Sequence, residues 1–358
     1  MSDALKSPYP WFGGKSSIAS EVWRRFGNVA NYCEPFFGSG AVLLARPQPF
    51  NGPETVNDIN AWLTNFWRAL QADPDAVAHY ADWPVSELDL HARGDWLFYR
   101  QGVAEWIERM RGDPDYYDAK SAGWWVWGQC AWIGSGWGPS ETSLHKKRPH
   151  LGTAGHGINR QLPHLGDAGQ GVNRKLPHLG TAGHGINRKL PHLGDAGRGV
   201  NRKLPHLGDA VQGVNRSANI RQYMRQLSER LRDVRVCCGD WSRICGPTPM
   251  IKQGLTAVFL DPPYGVADRD AGCYGADDDL SVSAAVREWC LKWQDCPQMR
   301  IALCGYEGEH DMPASWECLQ WKAKGGYGSQ SENGNDNCRR ERIWFSPHCE
   351  RERMLFDF

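Results

Sequence analysis

No stretch of this sequence stays apolar for the roughly 18–20 residues that a membrane-spanning helix needs, and no positively charged leader followed by an apolar segment opens it. Cys-x-x-C spacing is missing altogether. The twelve cysteines are scattered along 358 residues, which excludes a compact disulfide scaffold and leaves them to be read as reduced thiols. Cys338, His348 and Cys349 come nearest to a ligand cluster, too sparsely for a structural zinc site, so no metal is expected. Net charge is lacking as well, because 41 basic residues cancel 41 acidic ones. These absences predict a soluble, cytoplasmic protein without membrane association and without an obligate protein partner.

A further absence is local. From Lys146 to Ala218 there is no Phe, Tyr, Trp or Cys, and all 18 tryptophans lie outside that stretch. It cannot build a core of its own. Five copies of a 14-residue unit fill residues 149–218, beginning with PHLGTAGHGINRQL at Pro149 and alternating with PHLGDAGQGVNRKL-like units. One proline and two or three glycines per unit exclude a continuous helix. Between Lys146 and Arg216, twelve Lys or Arg stand against three Asp, so the positive charge of a neutral chain is concentrated here.

The flanks read differently. INAWLTNFWRALQADPDAV, WLFYRQGVAEWIERMR and the tryptophan-rich SAGWWVWGQCAWIGSGWG carry apolar residues at helical spacing, so helices are expected through 61–134. NVANYCEPFFGSGAVLLA reads as strand, glycine turn and helix. After the repeats come an amphipathic helix (SANIRQYMRQLSERLRDV), a strand ending in a glycine and an acid (VRVCCGDW), a strand (LTAVFL), a helix (SVSAAVREWCLKW) and a strand (MRIALCGY). Strands alternating with helices on both sides of the insertion predict one parallel α/β sheet interrupted by other material.

Several short motifs sit where such strands end. In EPFFGSG, Glu34 to Gly40, glycines after a strand allow close backbone approach to a ligand, and the next helix offers free N–H groups; a tight turn without a ligand fits the same residues. Asp58 in VNDIN suits a ribose hydroxyl or a helix N-cap equally. In VFLDPPYG the strand stops at Asp261, followed by Pro262, Pro263 and Tyr264.

PYPWFGGK, EPFFGSG, NDIN, CGDW and DPPYG occur in the order found in Dam-type (D12 class, alpha-order) adenine-N6 DNA methyltransferases, and the chain outside the repeats resembles that family, particularly its phage-like members. The resemblance implies a Rossmann-like methyltransferase sheet, S-adenosylmethionine as cofactor, double-stranded DNA as partner, and a bacterial cell or phage-infected host as setting. It implies a catalytic domain from 1–60 and 219–358, a helical target-recognition region at 61–148, and the repeats at 149–218 as a DNA-binding insertion.

Residue by residue, the resemblance implies that Trp11, Gly14 and Lys15 close over the cofactor, with Lys15 near its carboxylate, although by composition a lysine after two glycines reads as a surface residue. Glu34, Pro35, Phe36, Gly38 and Gly40 would frame the methionine part. Asp58 would hold the ribose, and Asp240 and Trp241 would meet the adenine. The helix carrying the tryptophan cluster falls where the family places residues beside DNA, but its match is loose and core packing explains it better.

The DPPY element then has a chemical reason. The adenine N6 lone pair is delocalised into the ring, so the amine attacks poorly until its hydrogens are held. Asp261 and the carbonyl of Pro262 would accept those hydrogens, the prolines would fix the backbone, and Tyr264 would stack on the base. Such a base must be flipped out of the duplex. The same machinery acting on cytosine N4 or on RNA, or a catalytically silent DNA-binding relative, are the alternatives; an intact DPPY weighs against the last. Candidate DNA contacts are Lys146, Lys147, Arg148, Arg160, Asn173, Arg174, Lys175, Asn187, Arg188, Lys189, Arg198, Arg202, Lys203 and Arg216, the other reading of the repeats being a duplicated loop.

Overall fold

The computed structural model describes residues 5–11, 13–50, 52–132, 137–139, 216–264, 281–321 and 340–351, with side chains in 216–264 described from 219 onward. The repeats at 149–218 therefore lie outside the described residues, apart from the first helical backbone positions at 216–218. So do all the candidate DNA contacts, with only the backbone of Arg216 described.

Seven strands form one sheet: β1 (Asn31–Glu34), β2 (Glu54–Asp58), β3 (Val234–Cys238), β4 (Thr256–Leu260), β5 (Met299–Tyr306), β6 (Glu317–Gln320) and β7 (Glu341–Phe345). Their order is β3-β2-β1-β4-β5-β7-β6. The first five run parallel, whereas β7 pairs antiparallel with both β5 and β6. This mixed sheet is that of a Rossmann-like methyltransferase fold, with one correction to the expectation of a wholly parallel sheet. The last two strands were hidden by composition: β6 is half-exposed, and β7, although buried throughout, carries Glu341 and Arg342.

Alternation along the strands assigns the faces. Ala257 and Phe259 of β4, with Ala302 and Cys304 of β5, point into a core built with α1 (Ala19–Phe26), α2 (Ala41–Leu44), α3 (Ala61–Ala72), α4 (Pro74–Ala81), α5 (Glu87–Tyr99), α6 (Val103–Gly112), α7 (Ala119–Ala131) and α8 (Arg216–Leu231). Val258, Leu260, Ile301 and Leu303 face the other way, toward α9 (Pro247–Met250) and α10 (Ser281–Trp293).

Five helices fill the region expected to be helical, and their core is continuous with that of the sheet. Asn60 caps α3 by accepting from Trp62 N at 3.0 Å and Leu63 N at 3.1 Å, and the helix buries Leu63, Phe66, Trp67 and Leu70 completely. Arg68 fastens it to β3 through Val236 O at 3.0 Å and to the end of α6 through Met110 O at 2.9 Å. Trp125 and Trp127 of α7 are buried, which supports reading the tryptophan cluster as core. Gly128 makes room there, because a Cβ would lie 2.1 Å from the Trp137 ring. On the far side of the repeats, Arg230 of α8 forks onto Glu54 of β2 at 2.7 and 2.9 Å. The helix that leaves the insertion is thereby anchored to the sheet.

Candidate active site

Strand order reverses between β1 and β4, and in open α/β sheets ligands bind beyond the carboxyl ends of the strands at such a switch point. Four acids stand at that edge. Glu34 ends β1, Asp58 ends β2, Asp240 follows β3 and Asp261 follows β4. They line a single open cleft of about 950 Å³, solvent-filled space included, together with Trp11, Gly14, Lys15, Pro35, Phe36, Gly38, Trp241 and Pro263. Motifs separated by more than 200 residues in sequence thus meet.

The glycine loop after β1 is held by its neighbours. Phe37 N donates to Asn57 O at 2.9 Å and Gly38 N to Asp58 Oδ2 at 3.1 Å. Gly38 O accepts from Tyr9 Oη at 2.7 Å and from Trp67 Nε1 at 3.2 Å. Gly38 has φ +49°, and a Cβ there would lie 2.9 Å from the Trp11 ring, so a side chain would both strain the backbone and displace the tryptophan. Asn57, fully buried, donates to Pro35 O at 3.1 Å and Gly239 O at 2.9 Å. Tyr9 and Asn57 escaped the sequence reading, since nothing in the letters separates a bridging asparagine from a turn asparagine.

Asp58 is half-buried and accepts from the main-chain N–H groups of Gly38 and Asn60. Burial pushes its carboxyl up from 3.8 to about 6, against the pull of those N–H donors. The helix cap itself is Asn60, not Asp58. Glu34 is buried, and its Oε2 accepts from Tyr32 Oη at 2.8 Å. Burial raises its carboxyl well above the ordinary range despite that bond. Asp240 is exposed and caps a short 3-10 turn through Ser242 N at 2.9 Å. Phe36 and Trp241 lie with ring centroids 6.1 Å apart and planes 28° from parallel.

Around Asp261 the arrangement departs from expectation. Lys15 is 4% exposed, so it is not a surface lysine, and its Nζ donates to Asp261 Oδ2 at 2.7 Å, Gly13 O at 2.7 Å and Tyr264 Oη at 3.1 Å. Burial opposes its positive charge, but the carboxyls of Asp261 and Glu341 outweigh that and raise the ammonium above its ordinary value. It is committed to Asp261 rather than left free for a cofactor carboxylate. Tyr264, expected to stack on a base, is buried edge-on against Tyr306 at 4.6 Å, with its hydroxyl 2.9 Å from both Asp261 Oδ1 and Glu341 Oε2. It does not line the cleft, and neither do Pro262, which is buried, or Gly40, whose φ of +67° starts α2. Sequence reasoning missed Glu341, which sits in a strand it did not find. Among the described residues no cluster of His, Cys, Asp and Glu could hold a metal ion, and of the three residues in the sparse Cys/His grouping, Cys338 lies outside them.

Comparison with known proteins bears on what this cleft is for. Residues 11–102 match the family model described as D12 class N6 adenine-specific DNA methyltransferase, which bears out the resemblance carried by the motifs. The DNA adenine methylase of Vibrio cholerae serotype O1 (strain ATCC 39541) is 35% identical over 78 residues, 22% of this chain and 27% of that protein. The DNA N-6-adenine-methyltransferase of Escherichia phage P1 is 32% identical over 72 residues, 20% of this chain and 9% of that protein. The chain thus spans about a quarter or less of the length of these relatives. Asp240, Asp261 and Glu341 fall outside the family-model match, so geometry alone brings them to the site. No described helix is long and apolar enough to cross a membrane.

Proposed function

We propose that this protein transfers a methyl group from S-adenosylmethionine to N6 of an adenine flipped out of DNA. The observation that carries the reading is the convergence of the glycine loop, Asp58, Asp240 and Asp261 on one cleft at the sheet's switch point. The residues suit the cofactor. The near-parallel Phe36 and Trp241 rings offer a purine slot, Asp240 an acceptor beside it, Asp58 a carboxylate for ribose hydroxyls, and Glu34 with the glycine loop a frame for the methionine part. Bound there, the cofactor supplies an electrophilic methyl on a sulfonium.

The chain's own groups prepare the nucleophile. Each carboxylate oxygen of Asp261 offers more than one acceptor site, so contacts to Lys15 and Tyr264 orient the carboxylate and still leave capacity for an amino N–H. The main-chain carbonyl of Pro262 is assigned the second amino hydrogen, which requires the base to reach past the cleft that Pro262 itself does not line. Holding both hydrogens draws the nitrogen lone pair out of the ring and aligns it for attack. In this arrangement Tyr264 serves Asp261; stacking on a base would require it to leave Tyr306 and its hydrogen bonds. The helical region and the basic repeats are assigned to DNA, the repeats on their concentrated charge.

Mass spectrometry of nucleosides from duplex DNA incubated with the protein and methyl-labelled cofactor tests the reading. Labelled N6-methyladenine is expected; label confined to N4-methylcytosine, or none, overturns it.

A further inference from the structure

Among the described residues, Tyr264 Oη meets three polar groups: Lys15 Nζ at 3.1 Å, Asp261 Oδ1 at 2.9 Å and Glu341 Oε2 at 2.9 Å. A phenol brings one proton and two lone pairs, and an ammonium brings only protons. Lys15 therefore takes one lone pair. Tyr264 has a single proton left for two carboxyls, so one of them must bring its own. The two are not equivalent. Asp261 Oδ2 lies 2.7 Å from Lys15 Nζ with its side chain 20% exposed, whereas Glu341 Oε2 lies 4.0 Å away with its side chain 5% exposed.

We propose that Glu341 is a neutral positioning residue whose acid proton is given to Tyr264, which directs the Tyr264 proton onto Asp261 and sets the plane of that carboxylate. The role rests on the methyl-transfer reading above. Burial, with the negative charges of Asp261 and Glu309, raises the Glu341 carboxyl against the opposing pull of Lys15 and of the Tyr264 hydroxyl. With Glu341 neutral the cluster balances one ammonium against one carboxylate. With Glu341 ionised it would hold an uncompensated buried charge and an oxygen–oxygen contact without a hydrogen. Among the described residues the other groups around it are the Cys304 thiol and Glu309, while Arg342 pairs with Glu307 at 2.7 Å and donates to the main-chain carbonyl of Glu341 at 3.0 Å.

Glu341→Ala and Glu341→Gln separate this role from a merely structural one. The alanine variant should lose about 10- to 100-fold in kcat with little change in cofactor KM. The glutamine variant should recover most of that loss, because its amide N–H can replace the acid O–H. Wild-type kcat should fall at high pH as Glu341 ionises, and the glutamine variant should stay level. Infrared spectra supply a readout that needs no turnover: the difference between wild type and Glu341→Gln at neutral pH should carry the carbonyl stretch of one neutral carboxylic acid, the contribution of buried Glu34 cancelling. That band decides the protonation even if the protein methylates nothing in DNA. A glutamine variant as slow as alanine, a shared high-pH fall, or a difference spectrum without the band overturns the proposal.

Discussion

The Asn57 amide donates at once to the carbonyls of Pro35 and Gly239, tying the loop after β1 to the loop after β3 across the end of β2. Two walls of the cleft therefore share one buried side chain. Replacing Asn57 by Ala leaves two carbonyls without their partner and should cost about 1–3 kcal/mol of stability. Because both loops shift, cofactor affinity should fall together with stability. Denaturant melts and calorimetry check this; a destabilised variant that binds cofactor normally would limit Asn57 to the fold.

Asp261→Asn keeps the shape of the side chain and removes its charge. Its turnover should drop about 10²-fold or more, while cofactor binding changes little. Single-turnover methylation assays on duplex DNA measure it, and near-normal rates would remove Asp261 from the chemistry.

Lys15 and Asp261 form a largely buried pair at 2.7 Å. Breaking such a pair from one side costs about 3–5 kcal/mol, because the remaining charge is stranded. Lys15→Met alone should destabilise strongly, and Lys15→Met combined with Asp261→Asn should regain much of the loss. A double-mutant cycle that is additive would show the two side chains to be independent.

Asp58, with its carboxyl pushed up to about 6 from 3.8, binds a proton more tightly in the folded protein than in the unfolded chain. The stability this provides is complete below about pH 3.8 and is lost as pH rises through about 6. Compared with Asp58→Asn, the wild type should lose on the order of 2–3 kcal/mol across that window. Ribose hydroxyls donate to the ionised form, so cofactor affinity should rise from pH 5 to pH 7 in the wild type and stay flat in the variant. Affinity that does not respond to pH would take Asp58 out of the cofactor site.

Deleting repeat units should flatten the dependence of log DNA affinity on log salt by about the number of phosphate contacts removed. Cofactor affinity should not change, since the units lie outside every cofactor motif. Binding titrations at several salt concentrations decide it; an unchanged slope would make the repeats a linker.

Strand ends and loops were legible because period and turn chemistry are local. EPFFGSG, NDIN, CGDW and DPPYG each announced a strand terminus, and all four reach the same cleft. What each side chain does there was less legible. Lys15 follows two glycines, a context that reads as surface, yet the fold buries it because a carboxyl 246 residues away receives it. Tyr264 reads as a platform for a base, yet Lys15, Asp261 and Glu341 hold its hydroxyl inward. Glu341 was invisible since a glutamate beside an arginine in ERIWF argues against a buried strand. Pairing across long sequence separations overrode local character in all three cases.

Strand β7 is made after β6 but lies between β6 and β5. On a ribosome, the emerging chain therefore reaches residue 340 with β6 lacking its neighbour and the Lys15–Asp261–Tyr264 cluster lacking its second carboxyl. The sheet and that cluster are completed by the same five residues. A nascent protein cannot complete this cluster before its sheet has closed, so a truncated translation product ending before Glu341 would carry the DPPY motif without the carboxyl proposed to set it.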